Sequence, residues 1–164
     1  MKETVIQDFL NKMNDINNKI KPRVRLIIIK KGKVLMSYVK DENFYFFIGG
    51  KMEYGETIKE ACIREVQEEC KANFKFEKIL YIRYYIKPEI NDHSLELYIK
   101  GDIDKFNEVE GVLDKEFNGN HWQTWVDINK LKNLDIRPKK LVTVLIKDHK
   151  NGFKFPTSYL GEID

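Results

Sequence analysis

Glu65, Glu68 and Glu69 are the residues whose types and spacing are best suited to chemistry. Residues three and four positions apart on a helix are neighbours, so a helix over residues 58–71 would bring the three carboxylates together. Their mutual repulsion is unfavourable, and more so where water is scarce. Clustered carboxylate oxygens suit hard cations such as Mg²⁺ or Mn²⁺. The spacing therefore predicts a divalent metal site on this helix.

The apolar residues of the same segment help to distinguish a metal site from an ordinary acidic surface. At about 100° per residue, one arc of the helix is formed by Ile58, Ala61, Cys62, Val66 and Cys70. Glu65 and Glu69 point into this arc, and Glu68 lies at its edge. The alternative is a solvent-facing acidic helix, on which carboxylates would not be placed among apolar side chains. The pattern favours the metal site.

The residues around the cluster resemble the Nudix signature, which has fixed spacing between a glycine and several charged residues. Gly50 is followed after five residues by Glu56, and seven further residues lead to the run Arg64-Glu65-Val66-Gln67-Glu68-Glu69. Every charged position of the signature is matched over about 23 residues. The order of the flanking strands is also similar to the family, so the resemblance extends over most of the chain beyond the first 20 residues.

The resemblance implies a role for each matched position. Glu65, Glu68 and Glu69 correspond to metal-binding carboxylates, and the carbonyl of Gly49 corresponds to a further metal ligand. Glu65 could alternatively orient or deprotonate the attacking water. Arg64 is assigned to the catalytic group and, with Glu56, to a pair that holds the loop containing Gly50 against the helix.

In many family members a further glutamate from a late loop joins the site as ligand or base. Glu116 is the predicted residue here, because Lys115-Glu116 precedes the strand that contains Trp122. Asp114 and Glu110 are the alternatives, and Glu116 could equally be a solvated loop residue.

Lys71 is the one clear departure from the signature, which has glycine at this position. Glycine lets the chain leave a helix in a left-handed conformation, and a lysine in that conformation costs about 1–2 kcal/mol. A cation near a helix C-terminus is favourable and offsets part of this cost. The departure concerns the end of the helix, not a metal ligand.

The elements that must position these residues follow from periodicity and breaker residues. Helices are predicted over residues 5–20, 58–71 and 138–150, with Pro138 in the first turn of the last one and a short helix capped by Asp127. Strands are predicted over residues 23–30, 33–39, 44–48, 74–86, 94–100 and 121–126, and the first two form a hairpin around Lys31-Gly32. Residues 102–119 are predicted to be in part a mobile loop.

This order indicates an α/β fold, with a mixed β-sheet between helices. The resemblance makes it a Nudix-type α/β/α sandwich. Residues 1–22 are predicted to be an N-terminal helical extension, and residues 23–164 the Nudix hydrolase domain. One domain agrees with a chain of 164 residues.

Composition excludes some classes of protein and leaves others open. No apolar run approaches the roughly 20 residues of a membrane helix, and no secretory leader is recognisable, so a cytoplasmic protein is expected. Cys62 and Cys70 would be about 12 Å apart on one helix, beyond disulfide reach, and are predicted to be reduced. The three histidines never pair with a cysteine at zinc spacing, which argues against structural zinc.

Charge is unevenly distributed although the net charge is only +3. Residues 19–33 contain seven lysines and arginines and no acid, whereas residues 49–72 contain six glutamates and four basic residues. The basic run is either a solvated strand edge or a feature that attracts a phosphate-bearing ligand. The net charge does not by itself indicate nucleic acid.

The predicted function is metal-dependent hydrolysis of a diphosphate linkage in a nucleotide, with Mg²⁺ or Mn²⁺ as cofactor. The substrate is a nucleoside triphosphate, or a nucleoside diphosphate linked to another group, of which ADP-ribose is one example. The alternatives are a Nudix-fold sensor that binds a nucleotide without cutting it, and a hydrolase of RNA ends that uses the basic run. A small-molecule nucleotide is the expected partner of a monomer or homodimer, with neither membrane nor nucleic acid.

Overall fold

A computed structural model describes residues 19–114 and 118–163, together with Ile6. Most of the helix predicted over residues 5–20 lies outside the described residues, and so does Glu116. The proposed domain boundary after residue 22 stays a prediction.

Eight strands and two α-helices make up the described part of the chain. The strands are β1 (Lys21–Lys30), β2 (Lys33–Val39), β3 (Phe44–Phe46), β4 (Phe74–Lys87), β5 (Asp92–Ile103), β6 (His121–Asp127), β7 (Ile136–Arg137) and β8 (Ser158–Glu162). The helices are α1 (Ile58–Cys70) and α2 (Lys139–Lys150), and short 3₁₀ helices span Pro88–Ile90, Asn107–Val109 and Ile128–Asn133.

The sheet is mixed, with strand order β7-β3-β2-β1-β5-β4-β8 and β6 paired with β2. β1 runs parallel to β5, while β4 runs antiparallel to β5 and parallel to β8. The predicted hairpin is confirmed, because Ile29 pairs with Val34 and Lys30 with Lys33. β1 therefore lies in the middle of the sheet, and it brings the basic run to the centre of the fold.

The sheet is covered on both faces, as the α/β/α prediction requires. Leu26, Ile27 and Ile28 are all fully buried although they are consecutive in a strand, which happens only when both faces are packed. Leu26 and Ile28 belong to the core beneath α1, whereas Ile27 belongs to the core beneath α2. The α/β/α sandwich with a mixed sheet is thus confirmed.

Helix α1 is defined sharply at its N-terminus. The Thr57 hydroxyl accepts a hydrogen bond from the Glu60 N–H, and the Glu60 carboxylate accepts one from the Thr57 N–H, forming a capping box. The apolar arc predicted from the sequence packs inward, with Ala61, Cys62 and Val66 fully buried. The helix therefore presents its glutamates at a fixed rotation relative to the sheet.

Lys71 ends α1 and adopts the left-handed conformation that the family's glycine would adopt more easily. Its backbone has φ 54° and ψ 37°, so the helix stops at Cys70 and does not continue to residue 71. The Lys71 N–H donates to the Gln67 carbonyl, and the ammonium group donates to the carbonyls of Gln67 and Glu68. The lysine therefore offsets part of its backbone strain by satisfying the last carbonyls of the helix.

Lys71→Gly is expected to stabilise the fold by about 1 kcal/mol, because glycine adopts this conformation without strain. Chemical denaturation should show a higher midpoint with an unchanged slope. Lys59→Gly, at an exposed position inside the same helix, is the matched control and should destabilise by about 1 kcal/mol. A lower midpoint for Lys71→Gly would mean that its carbonyl contacts outweigh the backbone strain.

Most of the remaining elements are of the predicted type, but several begin or end at other residues than predicted. Asp127 caps the 3₁₀ helix Ile128–Asn133 by accepting from the Asn129 N–H, as predicted. Pro138 is the N-cap residue of α2 and not a residue of its first turn. β5 extends to Ile103, so the predicted loop begins later than expected.

Cys62 and Cys70 are free and buried. Burial raises the pKa of the Cys62 thiol to about 12 and also raises the pKa of Cys70, so both are core residues without thiolate reactivity. In the part of the chain that the structure describes, no helix has both the length and the apolar character to cross a membrane.

Candidate active site

Three glutamates of α1, namely Glu65, Glu68 and Glu69, form one wall of a cleft of about 910 Å³. The opposite side is formed by the start of β1 and by the loop that follows β3. The cleft is lined by Glu65, Glu68 and Glu69, by Gly49 and Gly50, by Arg23, Arg25, Lys51, Arg64 and Lys71, and by Asp114, with Phe46, Met52 and Glu53 completing it. The structure thus brings together all the described residues that the sequence assigned to the site except Glu56.

Glu56 lies behind the cleft and is held by Arg64. The Arg64 Nε and Nη2 atoms donate to the two oxygens of Glu56 at 3.0 and 2.7 Å, in a bidentate pair. Arg64 Nη2 also donates to the Lys51 carbonyl at 3.0 Å. The guanidinium hydrogen bonds hold the pKa of Glu56 below its usual range. The geometry is that of a clamp between loop and helix, consistent with the predicted supporting role.

Arg64 also contacts two of the cluster glutamates. Its Nη1 atom donates to Glu65 at 2.8 Å and to Glu68 at 3.1 Å. Glu65 is buried, with 7% of its surface exposed, whereas the Glu68 side chain is 57% exposed. The predicted rotation of the helix is therefore observed: Glu65 faces the interior and Glu68 lies at the solvent edge.

Glu65 and Glu69 form a buried pair of like charges. Burial raises the pKa of both carboxyl groups, and repulsion between them contributes to the shift of Glu69, whose pKa lies well above its usual range. Asp114 adds to that repulsion, and the Gly49 N–H and the charge of Arg25 oppose it. The protein's own cations leave this pair incompletely neutralised.

Glu69 is oriented by two donors, one in the loop after β3 and one on β6. The Gly49 N–H donates to Oε1 at 3.2 Å, and the side-chain amide of Gln123 donates to Oε2 at 3.4 Å. Gln123 is fully buried, and the Ser37 hydroxyl donates to its Oε1 atom at 2.7 Å, which fixes the orientation of the amide. Gln123 was not among the predicted site residues, because nothing in the local sequence distinguishes a strand glutamine that faces the core.

Gly49 and Gly50 are required by close approaches of the backbone. Gly49 has φ +126°, and a Cβ atom there would overlap the Val24 carbonyl oxygen. A Cβ at Gly50 would lie 2.7 Å from a Glu65 carboxylate oxygen. The two glycines therefore let the loop lie directly against the carboxylates. The Gly49 carbonyl accepts from Arg25 Nη1 at 3.1 Å and retains a second lone pair.

The three acidic residues considered for the additional role, Glu110, Asp114 and Glu116, differ in their surroundings. Glu116 lies outside the described residues, so its predicted role stays a prediction. Glu110 accepts from the Thr124 hydroxyl at 2.7 Å and from the Trp125 N–H at 2.9 Å. Both donors belong to β6, so the Glu110 carboxylate is bound to that strand. Asp114 lines the cleft and interacts electrostatically with Glu69. The described candidate nearest the cluster is therefore Asp114.

The basic run contributes two arginines to the cleft, and neither is a solvated strand-edge residue. Arg25 Nε donates to Oε1 of Glu96 at 3.1 Å, and Arg83 Nε donates to Oε2 of the same carboxylate at 2.7 Å. Glu96 is 4% exposed. Although burial acts to raise its pKa, the two arginines hold the pKa of Glu96 below its usual range. This ionic network lies between the central strands and was not predicted.

The donor set can be compared with the requirements of a divalent cation. Three carboxylates and a backbone carbonyl supply only oxygen, the donor that Mg²⁺ and Mn²⁺ prefer. Among the described residues, no three His, Cys, Asp or Glu side chains are already arranged to hold an ion. Two of the carboxylates, Glu65 and Glu68, instead share the Nη1 atom of Arg64. Chemically the residues fit a hard cation.

Comparisons with known proteins agree with this architecture. A family model described as NUDIX domain matches residues 19–145. No match is found among curated proteins. A NUDIX hydrolase from Nitrosomonas europaea has a TM-score of 0.64 at 23% identity, over 84% of this chain and 93% of that one.

Two other solved structures share the fold at lower identity. A UDP-X diphosphatase has a TM-score of 0.64 at 17% identity, over 86% of this chain and 66% of that one. An ADP-ribose pyrophosphatase from Streptococcus suis has a TM-score of 0.56 at 11% identity, over 89% of this chain and all of that one. At these identities the likeness shows a common fold.

Proposed function

Because the chain belongs to the NUDIX domain family and is a pyrophosphohydrolase, we propose that it cleaves the diphosphate linkage of a small nucleotide with the help of a divalent cation bound by the α1 glutamates. The observation that carries the proposal is the buried pair Glu65 and Glu69, which repel each other at the edge of a large cleft. Burying two incompletely neutralised carboxylates is costly, and a cation between them removes that cost.

The proposed ligands are the carboxylates of Glu65, Glu68 and Glu69 and the carbonyl of Gly49. Gln123 and the Gly49 N–H orient Glu69, and Arg64 orients Glu65 and holds the loop in place through Glu56. When bound, Mg²⁺ or Mn²⁺ neutralises phosphate oxygens and lowers the pKa of a coordinated water. Gly50 lets the loop lie directly against Glu65, because a Cβ there would be 2.7 Å from a carboxylate oxygen.

The reaction adds water across a phosphoric anhydride. The water oxygen forms a bond to one phosphorus, the bond from that phosphorus to the bridging oxygen breaks, and the bridging oxygen leaves with the second phosphate. A carboxylate takes the proton from the water. Glu65 is one candidate for this base, and the segment that contains Asp114 and Glu116 supplies the other, because Asp114 already lines the cleft.

The substrate is proposed to be a nucleoside triphosphate or a nucleoside diphosphate linked to another group. Two proteins of the same fold are named as a UDP-X diphosphatase and an ADP-ribose pyrophosphatase, which is consistent with the second option. Intact acidic residues argue against a sensor that only binds, since binding alone does not require them.

The contacts of the basic run do not favour hydrolysis of RNA ends. Lys21 and Arg23 both lie near Asp92, Lys30 pairs with Asp102, and Arg25 is occupied by Glu96. Four of the seven cations in the run therefore have carboxylate partners within the fold, which argues against one continuous phosphate-binding surface. A small-molecule nucleotide remains the proposed partner.

A panel of nucleoside triphosphates and nucleoside diphosphate derivatives, assayed for released phosphate or mononucleotide, tests the proposal. Turnover is expected with Mg²⁺ or Mn²⁺ for at least one member, and chelation should abolish it. Restoration by added metal is the control for damage by the chelator. The absence of turnover of every nucleotide with either metal would count against a catalytic role, and full turnover in excess chelator would count against the metal.

A further inference from the structure

Two polar side chains, Ser37 and Gln123, are fully buried behind the cleft that the α1 glutamates line, which we call the carboxylate cleft. They are direct partners in the pairing of β2 with β6, and the next pair on the same face, Leu35 and Trp125, belongs to the apolar core beneath α1. Burying polar groups is costly unless they are hydrogen bonded, and an apolar pair of similar shape fills such a site without loss of stability. Packing of the fold therefore does not account for this pair.

The hydrogen bonds of the pair lead toward Glu69. The Ser37 hydroxyl donates to Oε1 of Gln123 at 2.7 Å, and Nε2 of Gln123 donates to Oε2 of Glu69 at 3.4 Å. A glutamine amide accepts at its oxygen and donates at its nitrogen, so a hydroxyl that donates to the oxygen turns the nitrogen toward the carboxylate. An amide rotated by half a turn would instead place its oxygen against a carboxylate oxygen. Ser37 thus determines which end of the amide faces Glu69.

The backbone of Gln123 is fixed on both sides of β6. On one side lies β2, with which β6 pairs. On the other side the Gln123 N–H donates to the Val112 carbonyl at 2.9 Å, and the Gln123 carbonyl accepts from the Gly111 N–H at 2.8 Å. The freedom that remains is that of the side chain, which the Ser37 hydroxyl restrains.

The second donor to Glu69 comes from the opposite edge of β2. Ser37 also pairs with Phe46 of β3, and the chain continues from β3 to Gly49, whose N–H donates to Oε1 of Glu69 at 3.2 Å. Each oxygen of Glu69 therefore has one donor and keeps a lone pair for a cation. Outer hydrogen bonds of this kind orient the ligands of a metal ion, and their loss typically weakens metal binding by about 10–100-fold.

We propose that Ser37 and Gln123 are positioning residues of the metal site, and that the Ser37 hydroxyl, acting through the Gln123 amide, sets the affinity of the site for its divalent cation. This inference rests on the proposed function, in which Glu69 is a metal ligand. Neither side chain lines the carboxylate cleft, so both act through Glu69 and not on the substrate.

Mn²⁺ binding measured without nucleotide, by the electron paramagnetic resonance signal of the free ion, tests the proposal apart from turnover. Gln123→Met keeps the approximate size of the side chain but removes both ends of the amide, and it should raise the Mn²⁺ dissociation constant about tenfold. Ser37→Ala lets the amide rotate and should raise it by at least about threefold. A change below about twofold in both variants would overturn the proposal.

Ser37→Thr is the conservative variant, because it keeps the hydroxyl. Its Mn²⁺ dissociation constant should stay within about twofold of the parent value. If Ser37→Thr weakened Mn²⁺ binding as much as Ser37→Ala does, the shape of the side chain and not its hydroxyl would matter, and the role assigned to the hydroxyl would be wrong.

The double variant Ser37→Ala/Gln123→Met separates positioning from folding. Because it replaces both partners by apolar groups, its metal-free melting temperature should equal or exceed that of the parent, while Mn²⁺ binding should be about tenfold weaker. The control is Tyr81→Phe, which removes a buried hydrogen bond of 2.8 Å to Asp148 in the core beneath α2. It should lower the melting temperature and leave Mn²⁺ binding unchanged. Parental Mn²⁺ binding by the double variant would show that the pair is only structural.

The parent protein shows which proposal has failed. If the parent binds no Mn²⁺, the proposed function fails and this inference fails with it. If the parent binds Mn²⁺ and hydrolyses a nucleotide, but the variants of Ser37 and Gln123 bind Mn²⁺ equally well, the proposed function stands and only this inference is overturned.

Discussion

Glu69→Gln is expected to lower kcat by about three orders of magnitude, the loss typical when charge stabilisation is removed from a transition state. Glutamine keeps the size of the side chain and can accept from either Gly49 or Gln123 through its single oxygen, but it supplies no negative charge for a cation. Turnover of the best nucleotide with saturating Mg²⁺ or Mn²⁺ is the measurement. Glu77→Gln removes an exposed carboxylate on β4 and should be close to the parent in activity.

Stability distinguishes this catalytic role from a structural one. Because Glu69 is a repelled carboxyl beside Glu65, the metal-free variant should be as stable as the parent or slightly more stable. Added Mg²⁺ should raise the melting temperature of the parent more than that of the variant, since binding to the folded state alone stabilises it. Near-parental turnover, or unfolding of the metal-free variant, would show that Glu69 serves the fold and not the reaction.

Glu96→Gln is expected to destabilise the fold by about 3 kcal/mol or more, because it leaves Arg25 and Arg83 buried without their shared counter-charge. For a chain of this size that corresponds to a fall in melting temperature of roughly 10 °C. Glu77→Gln, whose partner Lys100 lies on the surface of the sheet, is the control and should change stability by less than about 1 kcal/mol.

The effect of Glu96→Gln should depend on pH in a defined direction. The pKa of Glu96 is lower in the folded protein than the unfolded value of about 4.3. Its contribution to stability is therefore fully present above that value and is lost as the pH falls through the lower folded pKa. The gap between parent and variant should be constant near pH 7 and close in acid. A gap that widens in acid would contradict the ion-pair assignment.

The site could be predicted to the extent that it depends on local sequence. The rotation of α1, the burial of Glu65 and the exposure of Glu68 follow from helical spacing within thirteen residues. Lys71 is left-handed at the position of the missing glycine, although the helix was predicted to include residue 71. These features were visible because every residue that determines them lies on one helix.

Features that depend on pairing across the chain could not be predicted. Arg25 and Glu96 are 71 positions apart, and they meet because β1 and β5 are neighbours in the sheet. Gln123 reaches Glu69 across 54 positions through the pairing of β6 with β2. In a sequence, Arg25 belongs to a basic run and Glu96 to an alternating strand, and nothing in either segment indicates an internal ionic network.

The two short strands β7 and β8 were not predicted, for a related reason. β7 has two residues and exists because Ile136 and Arg137 pair with β3. β8 has five, and it adds to the sheet through parallel pairing with β4. Neither segment has an alternating apolar pattern long enough to predict a strand, so their structure comes from the partner. β7 contributes Ile136 and Arg137 to a cavity that shares Arg23, Arg25 and Phe46 with the carboxylate cleft.

Turnover and bound Mn²⁺ measured on the same samples, as free Mn²⁺ is raised from chelated to saturating levels, test the central claim most directly. The α1 glutamates are proposed to act by holding the cation, so turnover should be zero without bound metal and should rise in proportion to occupancy. In Glu69→Gln, occupancy should be shifted to higher Mn²⁺ and turnover should stay low even when the metal is bound. Turnover that persists while no Mn²⁺ is bound would contradict the account.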